Sequence, residues 1–275
     1  MNILKKCKRV IARDGLGFTL RRTLAWTLGH SPLAYRATFT YRDGTRLVFT
    51  PSQLTYVLFA NRSARAADVD LLKKYTPIGG TVIDVGGNIG SVAVPAGAHV
   101  GSEGAVLTFE PSPKFARIIR ANIAANNLGD TVTLHQVALG EDAKTVHLNE
   151  AVADDTTNHV ATTGTAVQQK RLDDYTSNFP TIDFLKIDVE GYEWEVLKGA
   201  TNTLKKTKCL LIEFIPTHLK RAGAKPEDFL ALLTKHFILY TRDAAGTLVP
   251  HVYSEAADTW PDLIGINTKH AQSIV

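Results

Sequence analysis

Cysteine is almost absent from this chain of 275 residues: Cys7 and Cys209 are the whole supply, and they lie far apart. There is no Cys-x-x-Cys, so the pair reads as two free thiols of a reducing compartment. Also missing is any apolar run of about 18 residues, the length that signals a membrane span. The N-terminus lacks the apolar core of a signal peptide, so cytoplasmic placement is expected. An excess of one charge is scarce as well. The 31 Lys and Arg face 27 Asp and Glu, a net +4, far from the basic stripe of a nucleic-acid binder. No nucleic-acid partner is expected. No internal repeat is visible, and no Gly-Lys-Ser/Thr follows a glycine loop, which excludes a phosphate loop.

What is present is an ordinary globular composition, 44% apolar and 21% charged. A chain of this size buries roughly three quarters of its unfolded surface. One domain with an extension is the expected organisation, with residues 1–78 as the extension and 79–275 as the main domain. In residues 1–35, Lys5, Lys6, Lys8, Arg9, Arg13, Arg21 and Arg22 interleave with Ile3, Leu4, Val10, Ile11, Phe18, Leu20, Leu24 and Trp26. Two readings fit: helices packed on the main domain, or a basic amphipathic arm touching a membrane or a partner. Runs 36–41 and 45–50 flank Asp43-Gly44, a hairpin signal. Ser63 can cap a helix carrying Ala67, Leu71 and Tyr75 on one face.

The most informative stretch is Thr81-Val82-Ile83-Asp84-Val85-Gly86-Gly87-Asn88-Ile89-Gly90. A β-branched run reads as a buried strand. Three glycines within five positions then allow a sharp turn and close approach of a ligand. Ile89, Val92, Ala93 and Ala96 follow at helical spacing. Strand, glycine loop and helix open an α/β sheet, whose ligands sit beyond the carboxyl ends of its strands. The spacing is Gly-x-x-x-Gly, not the Gly-x-Gly-x-x-Gly of a dinucleotide site, because Asn88 stands at the second glycine.

Further units follow. Strand 105–109 ends in Glu110, about 20 residues past the loop, where an acid can hold ribose hydroxyls. Ser112 and Pro113 start a helix with the stripe Phe115, Ile118, Ile119 and Ile123. Val132, Leu134 and Val137 mark a third strand, with 138–141 at its end; His135 reads as a sheet histidine. The threonine-rich stretch 144–169 reads as a strand pair or an insertion, with Asp154-Asp155 as a solvated turn rather than a metal site. Leu172 opens a short helix, and 184–187 is a fourth strand ending at Asp188-Val189-Glu190-Gly191. Tyr192, Val196, Leu197, Ala200 and Leu204 share a helical face that Glu193 and Glu195 lie off. Strand 209–214, a helix around Phe229, Leu232 and Leu233, and strands 237–240 and 263–267 complete the chain. Asp84, Glu110, Glu141, Asp188 and Glu190 all fall at strand ends. Such a rim suits a cationic ligand bearing a ribose, and S-adenosylmethionine, with its sulfonium and ammonium, fits.

In order, Val82-Ile83-Asp84-Val85-Gly86-Gly87-Asn88-Ile89-Gly90, Phe109-Glu110-Pro111-Ser112-Pro113, Leu172-Asp173-Asp174, Phe184-Leu185-Lys186-Ile187-Asp188-Val189-Glu190-Gly191-Tyr192-Glu193 and Leu210-Leu211-Ile212-Glu213 resemble the FkbM family of S-adenosylmethionine-dependent methyltransferases. The resemblance covers residues 79–215. It departs at Gly87, where alanine is usual and which should loosen the loop, and at Pro95, early in a helix. It implies a class I, Rossmann-like sheet of seven mostly parallel strands with helices on both faces and one antiparallel edge strand. It also implies O-methylation of a saccharide, glycolipid or secondary-metabolite hydroxyl. By analogy Glu110 holds the ribose, the loop Asp84, Gly86, Gly87, Asn88 and Gly90 the methionine end, and Ala138 lies near the adenine, with Pro111 beside Glu110. The acceptor is a small molecule or glycan.

A hydroxyl nucleophile gains from a base. Asp188 is the first candidate, or else a ligand of the cofactor ammonium; Glu190 and Glu193 come second and His218 third. Acids there also suit a helix N-terminus. No metal is expected. A nucleic-acid amino-methyltransferase would carry an Asn/Asp-Pro-Pro-aromatic run where this chain has Asp188-Val189-Glu190-Gly191. An NAD oxidoreductase fails on loop spacing, and a catalytically silent binding module stays open.

Overall fold

A computed structural model of the chain describes residues 15–149, 159–243, 245–254 and 261–269. Cys7, the lysines of the basic arm, and Asp154 and Asp155 lie outside the described residues. Among the elements are α1 (Leu16–Gly29), β1 (Thr38–Thr40), β2 (Arg46–Val48), α2 (Gln53–Ala60), α3 (Ala66–Tyr75), β3 (Thr81–Val85), α4 (Ala93–Val100), β4 (Ala105–Phe109), α5 (Pro113–Ala125) and β5 (Val132–His135). Then come β6 (Ala138–Leu139), β7 (Lys144–Asn149), β8 (His159–Ala161), β9 (Thr165–Lys170), α6 (Leu172–Thr176), β10 (Ile182–Ile187), α7 (Glu193–Lys198) and α8 (Thr201–Lys206). The last are β11 (Thr207–Ile212), α9 (Pro216–Arg221), α10 (Pro226–Thr234), β12 (Phe237–Arg242), β13 (Leu248–Pro250) and β14 (Leu263–Asn267).

The main sheet runs β13-β12-β14-β11-β10-β3-β4-β5. Its seven class I strands are joined by an eighth, β13, supplied by the turn after β12. β5, β4, β3, β10 and β11 are mutually parallel. Two strands run against these: β13 at the edge, the antiparallel edge strand that the resemblance implied, and β14, which sits between β11 and β12. Alternation along the strands divides the core by face. Ile83, Val85, Leu107, Leu185, Ile187 and Leu210 pack on one side, with helices α7, α8 and α10. Val82, Val106, Phe184, Cys209 and Leu211 pack on the other. Such double burial is what gives parallel strands their continuous apolar sequence.

Several local outcomes differ from the sequence reading. β5 stops at His135. Ala138 and Leu139 leave the main sheet and pair with β9, in a separate sheet ordered β6-β9-β7-β8 that takes in the threonine-rich stretch. The helical face read from Tyr192 to Leu204 is broken into α7 and α8. A Cβ on Gly199 would lie 1.9 Å from the Gly140 carbonyl oxygen. Beyond it the Asp173 carboxylate accepts the N–H groups of Asn202 and Thr203, starting a new helix. Pro95 is the third residue of α4, where no intrahelical acceptor is lost. The extension forms its own cluster: Phe39, Leu47, Phe49 and Leu58 pack with Ile89, Phe115 and Ile118. Helix α5 is thus covered on two sides, which explains its wide apolar stripe. Helix α2, which the sequence reading passed over, is part of this layer.

Candidate active site

A cleft of about 930 Å³, open mouth included, lies at the carboxyl ends of β3, β4 and β10. The strand register lays a polar row through the otherwise apolar core beneath it. Lys186 stands opposite Asp84, and Asp84 opposite Thr108. All three are buried. Thr108 Oγ1 donates to Asp84 Oδ2 at 3.3 Å, and Lys186 Nζ lies 3.7 Å from Asp84 Oδ1. Just past β10, Asp188 meets the same ammonium at 3.1 Å and Arg65 Nη1 at 3.2 Å. Arg65, not Ser63, precedes α3, in a left-handed conformation with φ of 59°. It also reaches Asp68 at 3.6 Å, which Arg242 contacts from β12 at 3.0 Å.

These pairings set the charges. Burial works against the Lys186 ammonium, but Asp188 and Asp84 outweigh it and hold its pKa above the ordinary range. Burial also works against an ionised Asp188, yet Lys186 and Arg65 prevail and hold it below the usual carboxylate range. For Asp84 burial wins, and its pKa rises despite Lys186. The acidic rim read from sequence is therefore partly neutralised from within. Glu141 leaves it altogether: it is exposed, pairs with Lys198 at 2.7 Å and does not line the cleft. What remains in the lining is Arg65 and Lys186 against Asp84, Glu110, Asp188 and Glu190.

β4 runs into Glu110, only 6% exposed. Its Oε2 accepts the Asn88 N–H at 2.8 Å and its Oε1 the Ser112 N–H at 2.9 Å. One carboxylate thus ties the glycine loop to the start of α5. The N–H groups of Gly86 and Gly87 both donate to the Phe109 carbonyl at 3.0 Å. Gly86 has φ of 85°, and a Cβ there would come within 1.8 Å of the Asp188 carbonyl oxygen, so no other residue fits. At Gly87 a Cβ would lie 2.3 Å from Thr108 Oγ1. The glycine makes room for the Thr108 hydroxyl beneath it. Gly90 is behind the cleft and closes the loop, its N–H donating to the Gly87 carbonyl at 2.7 Å. The other expected cofactor residues, Asp84, Gly86, Gly87, Asn88, Glu110, Pro111, Ala138 and Asp188, all line it.

The four candidate bases separate. Asp188 and Glu190 line the cleft. Glu193 does not, and far from lying off the buried face it is 2% exposed. Its Oε1 accepts the N–H groups of Val189 and Gly191 at 2.9 and 3.2 Å, holding the loop that presents Glu190. His218 is on α9, packed behind Gly191 and 4.0 Å from Glu213. Glu190 itself has φ of 56°. Burial, then Asp188 and Glu193, push its pKa up to about 7. Glu213, which carried no role in the sequence reading, is pushed up to about 8 by burial and then by Asp188, Glu193 and Glu190. His135 stacks on Phe109 and meets Tyr175 at a tilt, as a sheet residue. Among the described residues no group of His, Cys, Asp and Glu is arranged to hold a metal ion.

Arg65 and Lys186 were missed. Lys186 was visible in principle, since a lysine inside an apolar strand run needs a buried partner. Arg65 carried no such signal.

The donor set fits S-adenosylmethionine. Asp84 Oδ1 and Asn88 Oδ1 are buried in the cleft and accept no hydrogen bond, and the two cations can meet an amino-acid carboxylate beside them.

Comparison with known proteins supplies the family. The model described as Methyltransferase FkbM domain matches residues 84–239. A hexuronic acid methyltransferase of Haloferax volcanii is 28% identical over 156 residues, 55% of this chain and 60% of that protein. A 2-O-methyltransferase of Sinorhizobium fredii is 28% identical over 188 residues, 60% of this chain and 74% of that protein. The solved S-adenosylmethionine-dependent O-methyltransferase of Thermotoga maritima is 16% identical, with a TM-score of 0.43 over 84% of this chain and 77% of that one. The matched family segment begins at Asp84, takes in the glycine loop, Glu110 and the Asp188–Glu193 turn, and runs into β12: the chain belongs to the FkbM methyltransferase family.

Proposed function

We propose that the protein transfers a methyl group from S-adenosylmethionine to a hydroxyl of a saccharide or a saccharide-bearing small molecule. The observation that carries this reading is one cleft holding two carboxylates in different states. Glu110 is fixed by two backbone N–H groups. Glu190 is held near neutrality, with a pKa of about 7. The first suits a ribose, the second a proton acceptor working near physiological pH. The names of the Haloferax and Sinorhizobium relatives support an oxygen acceptor and a uronic acid among sugars. A cytoplasmic site of action belongs to the same reading.

The cofactor, when bound, supplies an electrophilic methyl whose thioether leaving group is neutral and needs no acid. The chain's own residues position and deprotonate. Asp84 and Asn88 offer acceptors to the ammonium, and Arg65 or Lys186 a cation to the carboxylate. Glu190 takes the hydroxyl proton. Asp188, already engaged by two cations, is a poorer base and serves to hold Arg65 and Lys186 in place. Positioning of the reactants contributes roughly 7–11 kcal/mol.

Calorimetric titration with S-adenosylmethionine, followed by tritiated-methyl transfer to uronic-acid saccharides, tests the reading. Saturable binding and transfer to an oxygen are expected. Glu110→Ala should weaken binding about tenfold or more, since each charge-assisted hydrogen bond contributes about 1.5–3 kcal/mol. Unchanged affinity in that variant overturns the ribose role, and binding without turnover on any hydroxyl overturns the enzyme.

A further inference from the structure

Helix α1 leaves a row of large apolar side chains uncovered. It packs on the rest of the extension through Ala25 and Gly29, which are buried; a Cβ at Gly29 would meet the Thr50 carbonyl oxygen at 2.6 Å. Arg22 Nη2 donates to Gln53 Oε1 at 2.9 Å, fixing the helix on α2. On the outer side Leu16, Leu20 and Leu24 are 58%, 60% and 50% exposed. The three leucines recur at four-residue steps and so form one stripe along the helix. Isolated exposed leucines are ordinary; three aligned on a single helix mark a docking face.

Charge identifies the occupant. Residues 1–36 hold eight of the chain's 31 Lys and Arg but only one of its 27 Asp and Glu, Asp14. Without this segment the rest of the chain carries more acid than base. Helix α1 itself contains Arg21 and Arg22 and no acid. A protein partner would be matched by mixed charge. A surface that is apolar within and uniformly anionic at its boundary matches a leucine stripe flanked by the exposed Arg21, whose stem can lie along the apolar layer with its head at the phosphates. We infer that α1 docks the protein on an anionic lipid bilayer, its leucine stripe lying in the interface. Among the described residues no helix is long and apolar enough to cross a membrane, so the contact is peripheral. Helix α2 joins the two surfaces: Gln53 meets α1, and the adjacent Leu54 lines the cofactor cleft. The inference is independent of the methyl acceptor.

Sedimentation of the full chain with vesicles of mixed phosphatidylglycerol and phosphatidylcholine, against pure phosphatidylcholine, tests it. Binding to the anionic vesicles is expected, with a fall of about tenfold or more on neutral ones and a similar fall in raised salt. Leu20→Ser with Leu24→Ser should reduce vesicle binding about tenfold and leave S-adenosylmethionine affinity and melting temperature unchanged, since both side chains are exposed. A second variant, Arg21→Gln, should reduce only the anionic preference. No sedimentation with either vesicle overturns the inference, as does equal binding to both. A concentration-dependent dimer abolished by the leucine substitutions, without vesicle binding, also overturns it and gives the face to a second copy of the chain.

Discussion

At the scale of single residues the site turns on how burial and neighbours divide the acids. Asp188 is kept ionised by Lys186 and Arg65, whereas Glu190, two residues on, is pushed up to about 7. A base must be ionised, so kcat/KM should climb with pH and level off above an apparent value near 7. Glu190→Gln should lower turnover by about 10²-fold or more and abolish that limb; a limb that survives there but vanishes in Glu213→Gln would move the role to Glu213. The same shift has a stability sign. The folded pKa lies above the ordinary carboxylate value, so ionising Glu190 costs stability as pH rises from the unfolded to the folded value, and the full cost applies above about 7. Glu190→Gln should therefore raise the melting temperature at pH 8 and leave it unchanged below the ordinary carboxylate range. Gly87 and Thr108 form a second local test. Gly87→Ala drives a methyl into Thr108 Oγ1 and should destabilise by about 1–3 kcal/mol, with Thr108→Ala restoring most of it; denaturant melts of the single and double variants measure the rescue.

At the scale of elements, Asp173 shows why a short motif can be read before its purpose is known. Leu172-Asp173-Asp174 announced itself as a helix start. The carboxylate in fact serves another helix, accepting from the N–H groups of Asn202 and Thr203 and from the hydroxyls of Thr201 and Thr203. Burial opposes its charge, but these donors outweigh it and lower its pKa. Asp173→Ala should cost about 2 kcal/mol through the lost cap and the unsatisfied donors, read from a shifted denaturant midpoint. Wild-type stability leaves the break between α7 and α8 without its cause. The strands and helices around the glycine loop, Glu110 and Asp188 were legible because their apolar runs are dense and their turns marked by glycine and proline. The rest was hidden where a distant segment decides the local outcome. Helix α2 has Ser52 at its N-cap, but that hydroxyl makes no capping hydrogen bond. β6 leaves the main sheet because β9 pairs with it, and Gly199 answers to the Gly140 carbonyl. Arg65 enters the cleft through a left-handed residue that no pattern of its neighbours requires.

At the scale of the molecule, an ion network runs from β3 through Lys186, Asp188, Arg65 and Asp68 to Arg242 on β12. It draws the extension, the cofactor strands and the far end of the sheet to one place, so the cleft is assembled only when all are in position. The position of β14 adds a matter of timing. On a ribosome β11 is made roughly 50 residues before β14, an interval of roughly 3–10 s at ordinary rates of synthesis. Until then the nascent chain holds open a strand edge whose residues Cys209 to Ile212 end up wholly within the core, and β12 has emerged with no main-sheet neighbour to join except its own hairpin. A chain halted after Ser254 should therefore self-associate, detectable by light scattering on release; a monodisperse halted chain would show that something else shelters that edge. The strand that closes the sheet is made late, and a cell making this protein has an exposed template for aggregation to shield for those seconds.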